Sequence, residues 1–460
     1  MPKKKTALTI EERLQQALVP AEEQPYEVPE NWVWVRLGAV CGFERGITFP
    51  SSAKQNERDD ENIPCLRTAN VQDELELNDL IYVNKKYYKN NIDKLIRKND
   101  IIMSTANSRE LVGKTSFVYK VEYPMIFGGF VMALRANKLL SKFLFYYLRL
   151  EFLLGRFRGE STQTTNIANI SSSVLGEYTF PLPPLFEQQR IVERIEELFA
   201  KLDEAKERLQ EAAESFAVRK AAILHKAFTG ELTQQWRREN GVSDESWEEK
   251  KLGEVGVLER GRSKHRPRND ERLFGGIYPF IQTGDVANAD MFIEKHSQTL
   301  SDFGMQQSKL FAKNTICITI AANIGKVAIL SYDSCFPDSV VGLTTDEKNS
   351  YKYVYYYLST QQKELESKAP ATAQKNINLK VLNDLDIPLP SLSEQHEIVR
   401  LIDDLLARER AAQQATEQAL ASIELMKKSI LARAFCGELG TNKASEASAL
   451  ELLKQVLAEN

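Results

Sequence analysis

The chain has 460 residues, of which 43% are hydrophobic and 27% are charged, and its formal net charge is -4. A domain commonly holds about 100–200 residues, so this length predicts two to four globular domains. The slightly acidic total excludes a protein that is basic throughout, and any nucleic-acid-binding surface would have to be local.

Cysteine usage and the N-terminal sequence indicate the compartment. The cysteines are scattered, odd in number and without a C-x-x-C pair, which argues against a disulfide framework and a zinc ribbon. The stretch MPKKKTALTIEERLQQAL lacks the apolar core of a signal peptide, and no run approaches the roughly 18 apolar residues of a membrane helix. We therefore expect a cytoplasmic protein with no membrane partner.

The first predicted elements are a helical segment and a mixed domain. TIEERLQQALVP (9–20) has a helical pattern, and we assign residues 1–21 to an N-terminal helical segment. In residues 22–170, ENIPCLRTANVQ, NDIIMSTANS and KTSFVYKVEY alternate like strands between turn residues, and FLFYYLRLEFLLGRF then predicts a helix. This region is expected to be a mixed α/β domain.

Residues 171–245 predict a long helix. The stretch PLPPLFEQQRIV begins at position 181, where prolines end the preceding strand and Glu187 suits the first helical turn. A heptad pattern follows, and Gly230 marks the stop. A helix over 187–228 would be roughly 60 Å long. The predicted apolar seam is Ile191, Ile195, Leu198, Leu202, Ala205, Leu209, Ala212 and Phe216.

The second half of the chain repeats the first. Residues 246–380 contain GIYPFIQTGDV, NTICITIAANIG, KVAILSY and YKYVYYYLSTQQKELES in the same order as their counterparts, and PLPSLSEQHEIV follows at position 388. The stretch from Val174 to Leu232 aligns without a gap with residues 381–439, which indicates duplication. The second seam is Ile398, Ile402, Leu405, Ala412, Ala419, Ile423, Met426 and Ile430, interrupted by Glu409 and Thr416.

These elements predict an α+β fold with a pseudo-twofold internal repeat. Two mixed α/β domains (22–170 and 246–380) are joined by two helical spacers (171–245 and 381–440), whose long helices can bury their one-sided seams as an antiparallel coiled coil. Residues 441–460 form a C-terminal helical tail containing ASALELLKQVLAEN. We expect this tail to pack near the N-terminal helix and close the pseudo-symmetry.

Several catalytic patterns are incomplete. NSRELVGKT (107–115) lacks the first glycine of a phosphate-binding loop, and no Ser-His-Asp or Cys-His arrangement is evident. Asp338, Asp346 and Lys348 fit a magnesium-dependent nuclease pattern, but the first half has no such residues at these positions. We expect a binding protein with no catalytic, cofactor-binding or metal-binding residues of its own.

Polar and basic loops at matching places in the two halves are the candidate DNA-binding sites. Arg and Lys suit guanine's paired acceptors, Asn and Gln suit the donor–acceptor edge of adenine, and flexible basic loops suit phosphates. The candidates of the first half are Arg67, Thr68, Asn70, Lys85, Lys86, Thr105, Asn107, Arg109, Arg158, Gln163 and Thr164. Those of the second half are Arg262, Lys264, Arg266, Arg268, Gln282, Thr283, Asn323, Gln374 and Lys375.

The repeated motifs resemble those of the specificity (S) subunits of type I restriction-modification enzymes. The resemblance rests on PLPPLFEQQRIVERIEELFAKLD with KAFTGELT, on PLPSLSEQHEIVRLIDDLLA with RAFCGEL, and on the dissimilar domain before each copy. It implies that each variable domain is a target recognition domain that reads one half of a split duplex DNA sequence. It also implies that the helical spacers dock two methyltransferase subunits, and that the chain is a non-catalytic subunit of the complex.

The same resemblance implies which chemistry belongs to other chains. S-adenosylmethionine, ATP and Mg are expected on the methyltransferase and restriction/translocase subunits. Two alternatives are compatible with the same residues. A magnesium nuclease built on Asp338 and Lys348 would cleave DNA by itself, and a pure coiled-coil scaffold would have no affinity for DNA.

Overall fold

The computed structural model describes residues 8–89, 91–164, 167–321, 323–369 and 376–459. The chain divides into two compact units. Unit 1 comprises Met1–Arg208 and Ala419–Asn460, and unit 2 comprises Leu209–Gln418. Each unit contains one mixed α/β region together with parts of two long helices, which confirms the predicted fold class.

The first region combines short strands with helices of very different lengths. Its strands are β1 (Val33–Arg36), β2 (Cys41–Arg45), β3 (Lys54–Gln55), β4 (Asn62–Leu66), β5 (Ile81–Asn84), β6 (Ile101–Ser104), β7 (Ala106–Asn107), β8 (Thr115–Phe117), β9 (Ile126–Phe127), β10 (Val131–Ala136), β11 (Thr162–Thr164), β12 (Ile167–Asn169) and β13 (Thr179–Leu182). Its helices are α1 (Ile10–Ala17), α2 (Leu37–Val40), α3 (Ser141–Leu153), α4 (Phe157–Glu160), α5 (Ser172–Glu177) and α6 (Leu185–Phe228).

The second region follows a similar order. Its strands are β14 (Glu248–Lys251), β15 (Gly256–Arg260), β16 (Phe274–Phe280), β17 (Phe292–Ile293), β18 (Gln298–Leu300), β19 (Leu310–Phe311), β20 (Ile316–Thr319), β21 (Val327–Leu330), β22 (Ser334–Cys335), β23 (Val340–Thr345) and β24 (Asp386–Leu389). The remaining helices are α7 (Gln234–Asn240), α8 (Leu252–Val255), α9 (Thr283–Asn288), α10 (Asp302–Gln306), α11 (Tyr351–Thr360), α12 (Gln362–Ser367), α13 (Leu379–Asn383), α14 (Leu392–Phe435) and α15 (Ala449–Glu459).

The sheets of the two units are similar but not identical, because the described residues form four sheets in unit 1 and three in unit 2. In unit 1 the strand orders are β1-β13, β2-β10-β6-β8, β11-β12-β7 and β3-β5-β4-β9. In unit 2 they are β14-β24, β15-β23-β20-β21-β17 and β18-β16-β22-β19. In both units the strand before the long helix, β13 or β24, pairs antiparallel with the first strand of the region, β1 or β14. The same pairing therefore closes each mixed region at the point where its long helix begins.

The repeated Glu-Gln pair explains why the chain contains the same proline-rich motif twice. Gln188 accepts a hydrogen bond from the backbone N–H of Leu140 (3.0 Å), just before α3, and donates one to the carbonyl of Pro183 (3.0 Å). Gln395 does the same with the N–H of Ser350 (2.8 Å) and the carbonyl of Pro390 (3.0 Å). Each glutamine thus joins the start of a long helix to the start of the helix packed against it.

The glutamate before each glutamine is fully buried and has different partners in the two units. Glu187 accepts hydrogen bonds from the indole N–H of Trp32 (2.8 Å) and from the amide of Asn442 (2.9 Å). Glu394 instead accepts from the hydroxyl of Thr233 and from the guanidinium of Arg237, both at 2.7 Å. A buried carboxylate needs such partners because it has lost its hydration.

The long helices pack antiparallel, which confirms the predicted coiled coil. In unit 1, Lys206 pairs with Glu424 (2.8 Å) and the nearby Asp203 pairs with Lys427, so positions rise along α6 as they fall along α14. In unit 2, Arg219 of α6 pairs with Glu409 of α14 (2.8 Å). These ion pairs link the two helices from one side of the seam to the other.

The predicted seam is only partly correct. The end positions Ile191, Ile195, Ile398 and Ile402 are fully buried, because the mixed regions pack over them. Three predicted seam residues are exposed: Ala205, Ala412 and Met426. A helix pair without a covering domain buries less of its apolar face, so the heptad pattern overestimated burial along the middle of the helices.

The two terminal helices pack together, as expected from the sequence. The guanidinium of Arg13 in α1 donates to the carbonyl of Leu457 in α15 (3.1 Å), and Ala17 and Val456 belong to the same buried core in unit 1. Among the described residues, no helix combines the length and apolar character needed to cross a membrane.

Candidate nucleic-acid interface

Strand pairing brings the predicted loops of unit 1 together. Antiparallel pairing of β7 with β12 places Asn107 opposite Ala168, and β12 also pairs with β11, the strand that contains positions 163 and 164. The N–H of Gly128 donates to the carbonyl of Leu66 (2.9 Å), so the loop that starts at Arg67 lies beside the turn before β10. These pairings bring segments that are distant in sequence next to each other.

The corresponding loops of unit 2 are held by the same backbone contacts. In unit 1, Thr105 donates its N–H to the carbonyl of Phe130 (3.0 Å) and accepts from the N–H of Ile170 (2.9 Å). In unit 2, the backbone N–H of Ile320 donates to the carbonyl of Ser339 (3.0 Å), and the carbonyl of Ile320 accepts from the N–H of Ile377 (3.0 Å). The two units therefore present different loops on equivalent frames.

In unit 2 the candidate loops border a cavity of about 590 Å³. Its lining combines aromatic rings with amide, hydroxyl and guanidinium groups, including Phe274, Phe280, Gln282, Gln298, Arg268 and Ser339. Arg268 also pairs with Asp338 (2.9 Å) in the turn before β23. A concave surface of this composition can contact both the apolar and the polar groups of a nucleobase.

The basic loop next to this cavity is exposed. The side chains of Arg262 and Lys264 form no ion pair with another described residue, whereas Arg266 donates to the carbonyls of Ser263 (2.7 Å) and His265 (2.8 Å). Hydrogen bonds from Arg272, and then from His265, hold the pKa of Asp270 below its usual range, so the loop ends at an ionised carboxylate. Exposed cations of this kind suit phosphate contacts.

Most of the described candidate residues are accessible. Lys85, Lys86, Arg109, Arg158 and Asn323 are exposed, and Arg67, Thr68, Asn107, Gln282 and Thr283 are partly exposed. Asn323 adopts a left-handed backbone conformation (φ 58°). The guanidinium of Arg67 is bonded to Asp79 (2.7 Å). These residues remain candidates for contact with DNA.

Two of the predicted DNA-contact residues have side chains that point inward, so fewer of the predicted residues can contact DNA. Asn70 is 1% exposed, and its side chain accepts from the N–H of Arg67 and donates to the carbonyls of Glu76 and Asp79. Thr105 is 5% exposed, and its hydroxyl donates to the carbonyl of Phe130. Both side chains hold the loops in shape and have no free edge for a base. Gln374 and Lys375, and the side chains of Gln163 and Thr164, lie outside the described residues.

The sequence predictions missed Gln298 and Asp338 as parts of this surface. Gln298 follows no motif, and only the pairing of β16 with β18 places it beside Gln282. The sequence did single out Asp338, but as a metal ligand, whereas in the structure it pairs with Arg268. The sequence could have placed Gln298 and Asp338 at this surface only if the strand pairing had been known.

A family model described as "Type I restriction modification DNA specificity domain" matches residues 29–214 and 244–421. The two matches together span most of the chain and include both interface edges. The chain belongs to the family of type I restriction-modification specificity subunits.

Similar proteins support this family assignment along nearly the whole length. The type I restriction enzyme EcoKI specificity subunit of Escherichia coli K12 is 26% identical over 454 residues, covering 94% of this chain and 96% of that protein. The StySPI specificity subunit of Salmonella potsdam is 25% identical over 457 residues, covering 94% and 96%.

Solved structures share the fold. The HsdS subunit of Thermoanaerobacter tengcongensis superposes with a TM-score of 0.64 at 22% identity, covering 91% of this chain and 100% of that one. A chain solved in work on complex assembly and conformational transition of the type I R-M system gives a TM-score of 0.67 at 22% identity, covering 90% and 100%.

The geometry of this specificity subunit contradicts the nuclease alternative. Asp338 precedes β23 and Asp346 follows it, so the extended strand separates the two carboxylates by roughly 20 Å, too far to share a metal ion. Asp346 instead accepts hydrogen bonds from the N–H of Lys348 (3.0 Å) and the amide of Asn349 (2.7 Å). The family description names DNA specificity, which also weighs against a scaffold without affinity for DNA.

Buried thiols are poorly suited to nucleophilic chemistry. Burial raises the pKa of Cys41 to about 12, and it raises the pKa of Cys65 to about 12. A thiol is a nucleophile only as the thiolate, so neither group is activated near neutral pH.

Proposed function

We propose that this specificity subunit binds a bipartite duplex DNA target, with one recognition domain (22–170 or 246–380) on each half-site. The observation that carries the proposal is the repeated backbone frame, in which equivalent hydrogen bonds at Thr105 and Ile320 hold loops of different sequence. Equivalent frames with different side chains suit a protein that reads two different sequences in the same manner.

Phosphate contacts are assigned to the basic residues. The loop with Arg262, Lys264 and Arg266 lies beside the cavity of unit 2, and exposed Lys85 and Lys86 serve the same purpose in unit 1. Phosphate contacts give affinity and position the protein, whereas polar groups at the edge select the sequence.

The methyltransferase subunits are proposed to dock on the helical spacers (171–245 and 381–440). Several large apolar side chains of α6 and α14 are well exposed, including Phe186 (77%), Val218 (70%) and Leu425 (69%). Exposed apolar groups on long helices are suited to being covered by a partner protein. Catalysis is assigned to these partners and to restriction/translocase subunits, which would use S-adenosylmethionine, ATP and Mg.

A domain exchange tests whether each recognition domain reads one half-site. Residues 22–170 are replaced by those of a related specificity subunit, and the methylated adenines in a host with the methyltransferase subunits are mapped by sequencing. We expect one half of the target to change and the other half to persist. The reciprocal exchange of residues 246–380 is the control, and it should change only the second half. A change in both halves after either exchange would contradict the proposal.

The phosphate assignment has its own test. Combined Arg262→Ala, Lys264→Ala and Arg266→Ala substitutions should weaken DNA binding by the assembled complex about equally for all sequences. The slope of log affinity against log salt should fall by about 0.9 for each lost phosphate contact. Lys348→Ala, an exposed lysine at the other end of β23, is the matched control. An unchanged salt slope in the triple variant would remove this loop from the interface.

A further inference from the structure

We infer that Gln282 and Gln298 form a paired-amide reader for the adenine edge of an A·T base pair in the second half-site. This inference rests on the proposed function and assigns a base type to one place on the interface. It also adds Gln298, which no sequence motif indicated.

The two amides are bonded to each other in a way that leaves complementary groups free. The side-chain amide of Gln282 donates to the side-chain oxygen of Gln298 at 2.9 Å. The oxygen of Gln282 is then available as an acceptor, and the amide nitrogen of Gln298 is available as a donor. Both side chains line the 590 Å³ cavity, and Gln298 is exposed while Gln282 is partly exposed.

A single carboxylate ties together the two segments that carry the pair. Asp285 accepts a hydrogen bond from the backbone N–H of Gln282 (2.7 Å) and another from the hydroxyl of Ser297 (3.1 Å), the neighbour of Gln298. The strand pairing of β16 with β18 places Phe280 opposite Gln298. The amides therefore project from a prearranged frame, which lowers the entropy lost on binding.

The free acceptor and donor match adenine in the major groove. Adenine presents its N6 amino group as a donor and N7 as an acceptor, whereas guanine presents two acceptors. The oxygen of Gln282 would accept from N6, and the amide of Gln298 would donate to N7. With guanine, two oxygen acceptors would face each other. Phe274 and Phe280 in the same cavity offer an apolar surface to the thymine methyl group.

The equivalent place in unit 1 has different chemistry. Arg67 occupies the position of Gln282, because its N–H is bonded to Asn70 (2.7 Å) as that of Gln282 is bonded to Asp285. The Arg67 guanidinium is bonded to Asp79 in place of an amide. The described residues at this place in unit 1 form no such amide pair, and the paired-amide reader is assigned to the second half-site.

The test uses the full-length chain with the methyltransferase subunits in a host whose methylated adenines are mapped by sequencing. Gln282→Ala and Gln298→Ala should each relax one A·T position of the second half-site, with discrimination at that position falling roughly 5- to 150-fold. Gln298→Glu keeps the shape and removes the donors, and it should disfavour adenine there. Gln306→Ala, an exposed glutamine outside the cavity lining, is the matched control and should retain the full target.

Several results would overturn the inference. Wild-type specificity in both alanine variants would do so, and so would weakening that is equal for all sequences, which is the behaviour of phosphate contacts. Failure of the variants to assemble with methyltransferase, without relaxed specificity, would assign the cavity to a protein contact. If the unaltered chain itself directed no bipartite methylation, the proposed function would fail, which is a separate result.

Discussion

The two units share their buried framework and differ in the groups at their interface edges. In both units a Glu-Gln pair lies in the first turn of the long helix. A lysine and a tyrosine of the helix that packs against the long helix contact a carboxylate of that long helix. In unit 1, Lys142 and Tyr146 contact Glu196, and in unit 2, Lys352 and Tyr356 contact Asp403. At the edges, Phe130 of unit 1 is 65% exposed, whereas Ser339 of unit 2 lines a polar cavity. The buried packing is therefore alike in the two units, whereas the side chains at the exposed edges differ.

The largest expected effect comes from removing Arg237, which forms a direct ion pair with the buried Glu394 of unit 2. Arg237→Met leaves Glu394, which is fully buried, without its ion pair, and we expect a loss of about 3–5 kcal/mol of stability. Urea denaturation of the full chain measures the loss. Arg400→Met, which breaks an exposed pair with Glu397, is the control and should have little effect. Equal effects of the two variants would show that burial of Glu394 is unimportant.

The aromatic residue near the end of each long helix gives a second comparison. Phe435 is fully buried against Phe143 and Tyr147, and Phe435→Ala should cost about 3–5 kcal/mol. Phe228 contacts Tyr353 and Tyr357 in the same way but is only partly buried. Phe228→Ala should therefore cost less, as measured by the midpoint of thermal unfolding. The reverse order would contradict the role given to burial.

The buried glutamate of unit 1 predicts a pH effect. Burial raises the pKa of Glu187, against the hydrogen bonds from Trp32 and Asn442. Because the folded pKa lies above the unfolded value of about 4.3, its contribution is fully present below that value and is lost as pH rises through the folded pKa. Glu187→Gln cannot ionise, so its stability relative to wild type should rise with pH across this window. Denaturation at a series of pH values would reveal a flat difference if Glu187 did not titrate there.

The smallest expected loss of stability comes from removing the lysine that occupies equivalent positions in the two units. Lys352 pairs with Asp403 at 3.0 Å, but both side chains are about one-third exposed. Lys352→Met should cost about 0–1 kcal/mol, because exposed ion pairs contribute little. Lys142→Met removes the equivalent pair with Glu196 in unit 1 and should behave alike. A large loss in only one of the two variants, measured by urea denaturation, would show that the shared contact has different roles.

Local patterns predicted the framework well. The prolines, the Glu-Gln pair and the heptad spacing indicated long helices from about 187 to 228 and in the second copy, and the structure has them at Leu185–Phe228 and Leu392–Phe435. The pattern failed at Ala205 and Met426, since periodicity indicates which face is apolar and not whether another domain covers it.

The interface was less predictable because it is assembled from distant segments. Residue type alone placed Asn70 among the base-reading candidates, whereas its amide is used to hold the loop around Arg67. Gln298 could not be found from its own sequence context, since its partner Gln282 becomes a neighbour only when β16 pairs with β18.

The sequence by itself determined the duplication, the long helices and the family, because each depends on the order and spacing of nearby residues. Only the tertiary structure decided which polar side chains face outward and which are used internally. A polar group's role depends on whether its hydrogen-bonding capacity is already satisfied, and in this chain the partners that satisfy it often come from distant strands.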